Sequence, residues 1–279
     1  MRVYLSVDME GIGGVSHADP TDPANVRYPA SVALMVGETN AAIEGALAAG
    51  ATDLLVNDSH WNMYNLLPED LHPSARVLQG QKAWSMVAGA QPAADGSPTF
   101  DVALFVGYHA RAGHGRGTIA HTYSGAPVET RLDGRPTGEY GINAVVLGAW
   151  GIPVGLVAGD DALAEEVADW LPWAERVIVK TADGGLSAAS PHPSVARDLV
   201  RAGAERAVRA AAAGSLQPLV VGPPVTIEVD YAKGVAADHA AVVPGAERLG
   251  DRTVRFTADD APTAFRGFLA GVRLAGAIG

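Results

Sequence analysis

Val3-Tyr4-Leu5-Ser6-Val7-Asp8-Met9-Glu10-Gly11 is a short apolar run that breaks into two carboxylates and a glycine. A run this short, bounded by turn residues, reads as a buried strand, because a helix needs about 10 residues or more to show its period. Outward from it, strands and helices alternate. Ser31 to Ala49 has helical spacing and ends at Gly50. Leu54 to Val56, Val102 to Val106 and Val154 to Val157 read as further strands, Gly141 to Trp150 and Asp160 to Trp170 as helices, and Asp160 or Asp161 as an N-cap. This order predicts an α/β fold: an open, mostly parallel sheet flanked by helices.

Two regions depart from that rhythm. Thr118 to Pro136 holds Asp133-Gly134 between short β-like segments, which predicts a hairpin. The last third runs through a helix (Ser194 to Ala213), a Pro-rich link (Pro218 to Pro224), strands at Val225 to Val229 and Val254 to Phe256, and a helix at Ala261 to Leu274. We therefore expect a main α/β domain over 1–190 and a smaller C-terminal α/β lobe over 191–279.

The 279 residues are 48% hydrophobic, enough for a sizeable core, and the net charge of −11 repels phosphate backbones, so no nucleic-acid partner is expected. There is no cysteine, so any metal must be held by nitrogen and oxygen ligands. No apolar run of about 18 residues predicts a membrane span. The chain opens directly on a strand, without a basic and apolar leader, and a cytoplasmic location is expected.

Ligands of open α/β sheets bind beyond the carboxyl ends of the strands. Asp8 and Glu10 follow the first strand, His60 follows Asn57-Asp58-Ser59, and His109 follows Gly107-Tyr108. Four potential metal ligands thus fall at one sheet edge. Two carboxylates two residues apart on an extended segment share a side. They repel unless a cation lies between them. One Asp can bridge two metals, and a metal pair can activate a shared water. Alone, each of these signals more often describes a solvated turn; their shared position makes them a candidate site.

The strings Ser6-Val7-Asp8-Met9-Glu10-Gly11-Ile12, Val56-Asn57-Asp58-Ser59-His60, Gly107-Tyr108-His109-Ala110-Arg111-Ala112 and Gly138-Glu139-Tyr140-Gly141-Ile142-Asn143-Ala144 resemble the D-aminopeptidase family of the DppA type. So do Leu71-His72-Pro73, Ala158-Gly159-Asp160-Asp161 and Val243-Pro244-Gly245, so the likeness spans the chain. It implies a zinc-dependent aminopeptidase with two Zn²⁺ per chain, acting on short peptides, including those with D-residues at the N-terminus. It also implies a ring-shaped homo-oligomer, expected as a decameric ring. Carried over by position, Asp8 bridges the two zincs, Glu10 and His60 complete one site, and His109 and Glu139 complete the other. His121, in Ala120-His121-Thr122, matches the catalytic histidine. Its role is either proton transfer or nucleophilic attack, and a water-based route favours the former. This chain departs from the family pattern at Tyr28-Pro29-Ala30, at Gly37, and between His109 and His121, where the Gly-rich segment is one residue longer and adds His114.

Other histidines carry weaker signals. His17, His72 and His114 are expected in turns or loops, and His192 and His239 have no assigned part. Gly11-Ile12-Gly13-Gly14 lacks the full phosphate-loop pattern, and Ser59 beside His60 lacks a nucleophile elbow. Two rival functions stay open. One is a di-metal hydrolase of another amide or of an ester, a phosphoester included, for which Arg111 and Arg116 are the nearby cations. The other is a non-catalytic metal-binding assembly protein.

Overall fold

The computed structural model describes residues 1–278. In chain order the strands are β1 (Arg2–Val7), β2 (Asp53–Asp58), β3 (Ala75–Leu78), β4 (Val102–Val106), β5 (Pro127–Leu132), β6 (Arg135–Pro136), β7 (Val154–Asp160), β8 (Glu175–Ala182), β9 (Ala188–Ala189), β10 (Val225–Tyr231), β11 (Ala246–Arg248) and β12 (Thr253–Ala258). The helices are α1 (Tyr28–Ala48), α2 (Glu139–Ala149), α3 (Asp161–Trp170), α4 (Pro193–Ala212), α5 (Gly234–Ala240) and α6 (Ala261–Gly276). Among the described residues no helix is long and apolar enough to cross a membrane.

The first sheet has the order β3-β2-β1-β4-β7-β8-β9. Its pairs are parallel except β8–β9. The central strands are continuous apolar runs because both faces are covered. Val3, Leu5 and Val7 of β1 and Val102, Leu104 and Val106 of β4 enter the core beneath α1 and α4. Tyr4, Ala103 and Phe105 point the other way, into the core under α2, α3 and α6. The expected open, mostly parallel sheet is present.

The second sheet, β11-β12-β10-β5-β6, is antiparallel. The Asp133-Gly134 hairpin forms as expected between β5 and β6, and both turn residues take positive φ. The lobe division expected at residue 190 does not follow the sheets. The hairpin from the first half pairs with β10, and α4, from the second half, packs on α1. Close approach explains the α4 placement: a Cβ on Gly45 of α1 would lie 2.1 Å from the Arg201 carbonyl oxygen. The second sheet shares its core with α2 and the first sheet, so its apolar face is buried against them.

Register places the site. Val7 of β1 lies opposite Asp58 of β2 and Val106 of β4, so three strands end flush. Asp8 then donates its N–H to the Val106 oxygen at 2.9 Å, and Gly11 to the Gly107 oxygen at 2.7 Å. A Cβ on Gly11 would meet the Tyr108 oxygen at 1.7 Å, so only glycine lets these two loops touch.

Candidate metal centre

Asp8, Glu10, His60, His109 and Glu139 converge, each 6% exposed or less. The chain does not stay extended through Asp8 and Glu10 as the sequence spacing suggests. It turns at Met9–Glu10, yet both carboxylates reach the same ring nitrogen. His60 Nδ1 lies 3.3 Å from Asp8 Oδ1 and 2.9 Å from Glu10 Oε2. On the far side, His109 Nε2 lies 3.5 Å from Asp8 Oδ2 and 3.6 Å from Glu139 Oε2. Asp8 therefore sits between two imidazoles, one carboxylate oxygen toward each.

The backbone sets the tautomers. His60 Nε2 is 2.9 Å from the Thr21 carbonyl oxygen, and His109 Nδ1 is 3.0 Å from the Ala110 carbonyl oxygen. A carbonyl only accepts, so each of these nitrogens donates. In the neutral rings the other nitrogens, His60 Nδ1 and His109 Nε2, then turn lone pairs toward carboxylates. Lone pair facing lone pair is repulsive unless a proton or a cation intervenes. His109 Nε2 is buried and has no hydrogen-bond partner among the described residues. Backbone-oriented imidazoles with carboxylates suit a Zn²⁺ donor set, so the residues present fit the metal.

Electrostatics agree. Burial, and then the neighbouring Glu10, raise the Asp8 pKa. Burial also acts to raise Glu10 and Glu139, but His60 and His109 respectively outweigh it and pull both carboxyls below their usual range. Burial would lower the two histidines; the facing carboxylates instead raise both well above an ordinary imidazole. Three buried acids thus draw positive charge onto the rings.

Glu139 arrives from the second sheet. It is the first residue of α2, where the helix dipole favours an anion. Its Oε1 accepts the Tyr123 N–H at 2.5 Å. His121 stacks on His109, with ring centroids 4.1 Å apart and planes at 14°. Its Nδ1 lies 2.9 Å from the Ile119 carbonyl oxygen and its Nε2 3.8 Å from Glu139 Oε1. Its side chain is 26% exposed, so the ring that reaches the site also reaches solvent. Ile119 and Tyr123, flanking it, hold φ of 54° and 61°, a region costly for such residues. In the Gly-rich segment ahead of it, the His114 ring nitrogen accepts the N–H groups of Arg116 and Gly117.

Supporting residues also fall into place. Asp160 caps α3 through the Leu163 N–H and accepts the Thr118 N–H at 2.8 Å, tying the His121 loop to the sheet. Asn143 accepts the Tyr123 hydroxyl at 2.5 Å. His17, His72 and His192 each accept a nearby main-chain N–H in a local turn. Residues that sequence reading passed over include Lys180, buried beneath the Glu10 turn, and Thr21, whose carbonyl orients His60. No pattern in the sequence marks either, since one works through a main-chain atom and the other through main-chain partners. Two open hollows of about 540 Å³ each lie elsewhere, one against α6 and one against α1, and neither is lined by these six site residues.

A family model described as D-aminopeptidase matches residues 1–270. A curated D-aminopeptidase of Bacillus subtilis (strain 168) is 34% identical over 277 residues, covering 99% of this chain and 98% of the relative. Among solved structures, the Zn-dependent D-aminopeptidase DppA from Bacillus subtilis, described as a self-compartmentalizing protease, matches with a TM-score of 0.90 at 34% identity, over 99% of this chain and 98% of that one. Fold and site together define a metallopeptidase, a hydrolase. The chain belongs to the D-aminopeptidase family.

Proposed function

We propose that this chain is a di-zinc aminopeptidase that removes N-terminal residues, D-residues among them, from short peptides. The observation that carries the reading is Asp8, whose two oxygens face separate imidazole lone pairs. Asp8, Glu10 and His60 would hold one zinc, and Asp8, His109 and Glu139 the other. When bound, such a pair supplies Lewis acidity to a water and to the scissile carbonyl.

The chain's own residues do the rest. His121 donates Nδ1–H to Ile119, which leaves Nε2 free to take a proton at the site and return it to the leaving amine. Its stacking on His109 limits ring rotation, and its partial exposure lets the proton exchange with solvent. Isolating a covalent adduct on His121 by rapid quench would overturn the proton-transfer role in favour of nucleophilic attack. Arg111 and Arg116 are engaged by Glu166, Asp161 and Glu165, which disfavours a phosphoester substrate. The aimed His121 ring disfavours a purely binding role. We also propose a ring-shaped homo-oligomer, a decamer, supported by the self-compartmentalizing description of the relative; light scattering of the purified chain tests it.

The decisive experiment measures metal content and turnover of D-Ala-D-Ala and L-Ala-L-Ala by the zinc-loaded protein, beside His121→Ala. The expected result is two zincs in both proteins, turnover of the D,D-dipeptide, and a fall in kcat of about 10²–10⁴-fold in His121→Ala. Two bound metals without hydrolysis of either dipeptide would sink the aminopeptidase reading and leave the binding role.

A further inference from the structure

Lysine is rarely buried without partners, yet Lys180 on β8 is 1% exposed. Its ammonium donates to the main-chain carbonyl oxygens of Glu10 and of Val15, the latter at 2.5 Å. These two carbonyls bracket the turn that carries Glu10 out of β1. The same turn is tied elsewhere: Gly11 N–H to the Gly107 oxygen, Gly13 N–H to Glu38 Oε1 at 2.9 Å, and Gly14 N–H to Ser190 Oγ at 2.9 Å. Only Lys180 grips Glu10 itself among these ties. Glu38, from α1, is 2% exposed and brings a buried carboxylate to the same turn. Burial lowers the Lys180 pKa to about 8, against the opposing pull of Asp160, Glu38 and the site acids. The ammonium is therefore held in place by acceptors and by charge, and without it two buried carbonyls would lose their donor.

We propose that Lys180 is a positioning residue: by fixing the Glu10 carbonyl it holds the Glu10 carboxylate in the half of the metal site shared with His60, and so sets the affinity of that half. This rests on the two-metal reading above. The predicted dependence is one-sided. His109 and Glu139 are carried by the β4 end and by α2, and the Lys180 ammonium donates to neither.

The test is stepwise Co²⁺ titration of the metal-free full chain, read by visible absorption, for the native protein, Lys180→Met, and a core control in the same strand, Val177→Ala. His60→Ala and His109→Ala identify which spectral step belongs to which half. The expected result is that Lys180→Met weakens the step lost in His60→Ala by about 10–100-fold, the range for residues that orient metal ligands, and leaves the other step unchanged. Val177→Ala is expected to lower Tm without moving either step. If Lys180→Met does not fold, Lys180→Gln, which keeps a donor, is read in the same way with a smaller effect on the same step. Unchanged affinity in both steps, or equal weakening of both as for a general loss of stability, overturns the proposal. Fewer than two steps in the native protein overturns the two-metal reading, and this inference with it.

Discussion

Asp58 closes β2, is fully buried, and is not among the five residues proposed to hold zinc. Its Oδ2 accepts the main-chain N–H groups of Asn65 at 2.5 Å and Leu66 at 2.8 Å, and its Oδ1 accepts the Asn65 side-chain amide at 2.6 Å. That amide also donates to the His60 carbonyl at 2.8 Å. Between them, Trp61 and Met63 hold φ of 51° and 59°, at about 1–3 kcal/mol of strain each. Asp58 thus keeps a strained loop closed around His60. At about 1.5–3 kcal/mol per hydrogen bond to a charged group, three donors sum to about 4.5–9 kcal/mol. Removing the charge returns its desolvation penalty, and relaxing the loop returns strain, so we expect Asp58→Ala to lose about 3–5 kcal/mol. At about 2–4 °C per kcal/mol for chains near this size, Tm falls by about 6–20 °C. Asp58→Asn, which keeps one carbonyl oxygen, falls between. Calorimetry of the metal-free protein gives the stability, and a competitive chelator titration gives zinc affinity, expected to drop about 10–100-fold in the His60 half. A stability loss below about 1 kcal/mol, the scale of an exposed pair, together with unchanged zinc binding would refute the reasoning.

Two further substitutions probe independent parts of the same frame. Gly11→Ala places a Cβ 1.7 Å from the Tyr108 oxygen and must part the loops holding Asp8 and His109; we expect a loss of more than about 3 kcal/mol, as for overpacked cores at their most severe, with soluble yield and circular dichroism as the check. Glu166→Gln tests a pH dependence. Burial raises the Glu166 pKa to about 7, against a Glu near 4.5 in the unfolded chain. With the folded value above the unfolded one, its contribution is full below about 4.5 and is lost as pH rises toward 7. The native protein should therefore lose stability across that window more steeply than Glu166→Gln, as measured by denaturant midpoints at each pH; parallel curves for the two would count against it.

The parts of the fold that could be read from sequence are those where two-sided burial writes itself as an apolar run. β1, β2, β4 and β7 are such runs, and β10 and β12 were found within a few residues of their ends. β8 was missed because its sequence, Glu-Arg-Val-Ile-Val-Lys-Thr-Ala, exposes Ile178 at 44% and buries Lys180, reversing the usual chemistry of the two positions. α1 begins three residues ahead of the apolar spacing, since Pro29 is tolerated in a first turn. In the site, Asp8, Glu10, His60 and His109 were legible because strand ends share an edge. Glu139 and His121 were not legible from pattern. Glu139 depends on the β5–β6 hairpin crossing to the second sheet before α2 begins. His121 depends on two left-handed residues whose conformation no local preference favours. Only the family resemblance placed them.

The charges explain why such a site holds together around a cation. Three carboxylates are buried within reach of two rings whose outer nitrogens the backbone has already claimed as donors. Asp8 and Glu139 each accept one main-chain N–H, from Met9 and Tyr123, and beyond these the acids face His60 and His109, whose pKa values they raise. A metal held there would need those same lone pairs, so its uptake would compete with protons on the rings. The Thr21 and Ala110 carbonyls fix which nitrogen is left for the metal, and Asp8 stands where one oxygen reaches each ring. The orientation of the rings is therefore set by main-chain atoms, with one aspartate between them. That is why the loops around Gly11, Asp58 and Lys180 matter as much to the site as the side chains that face it.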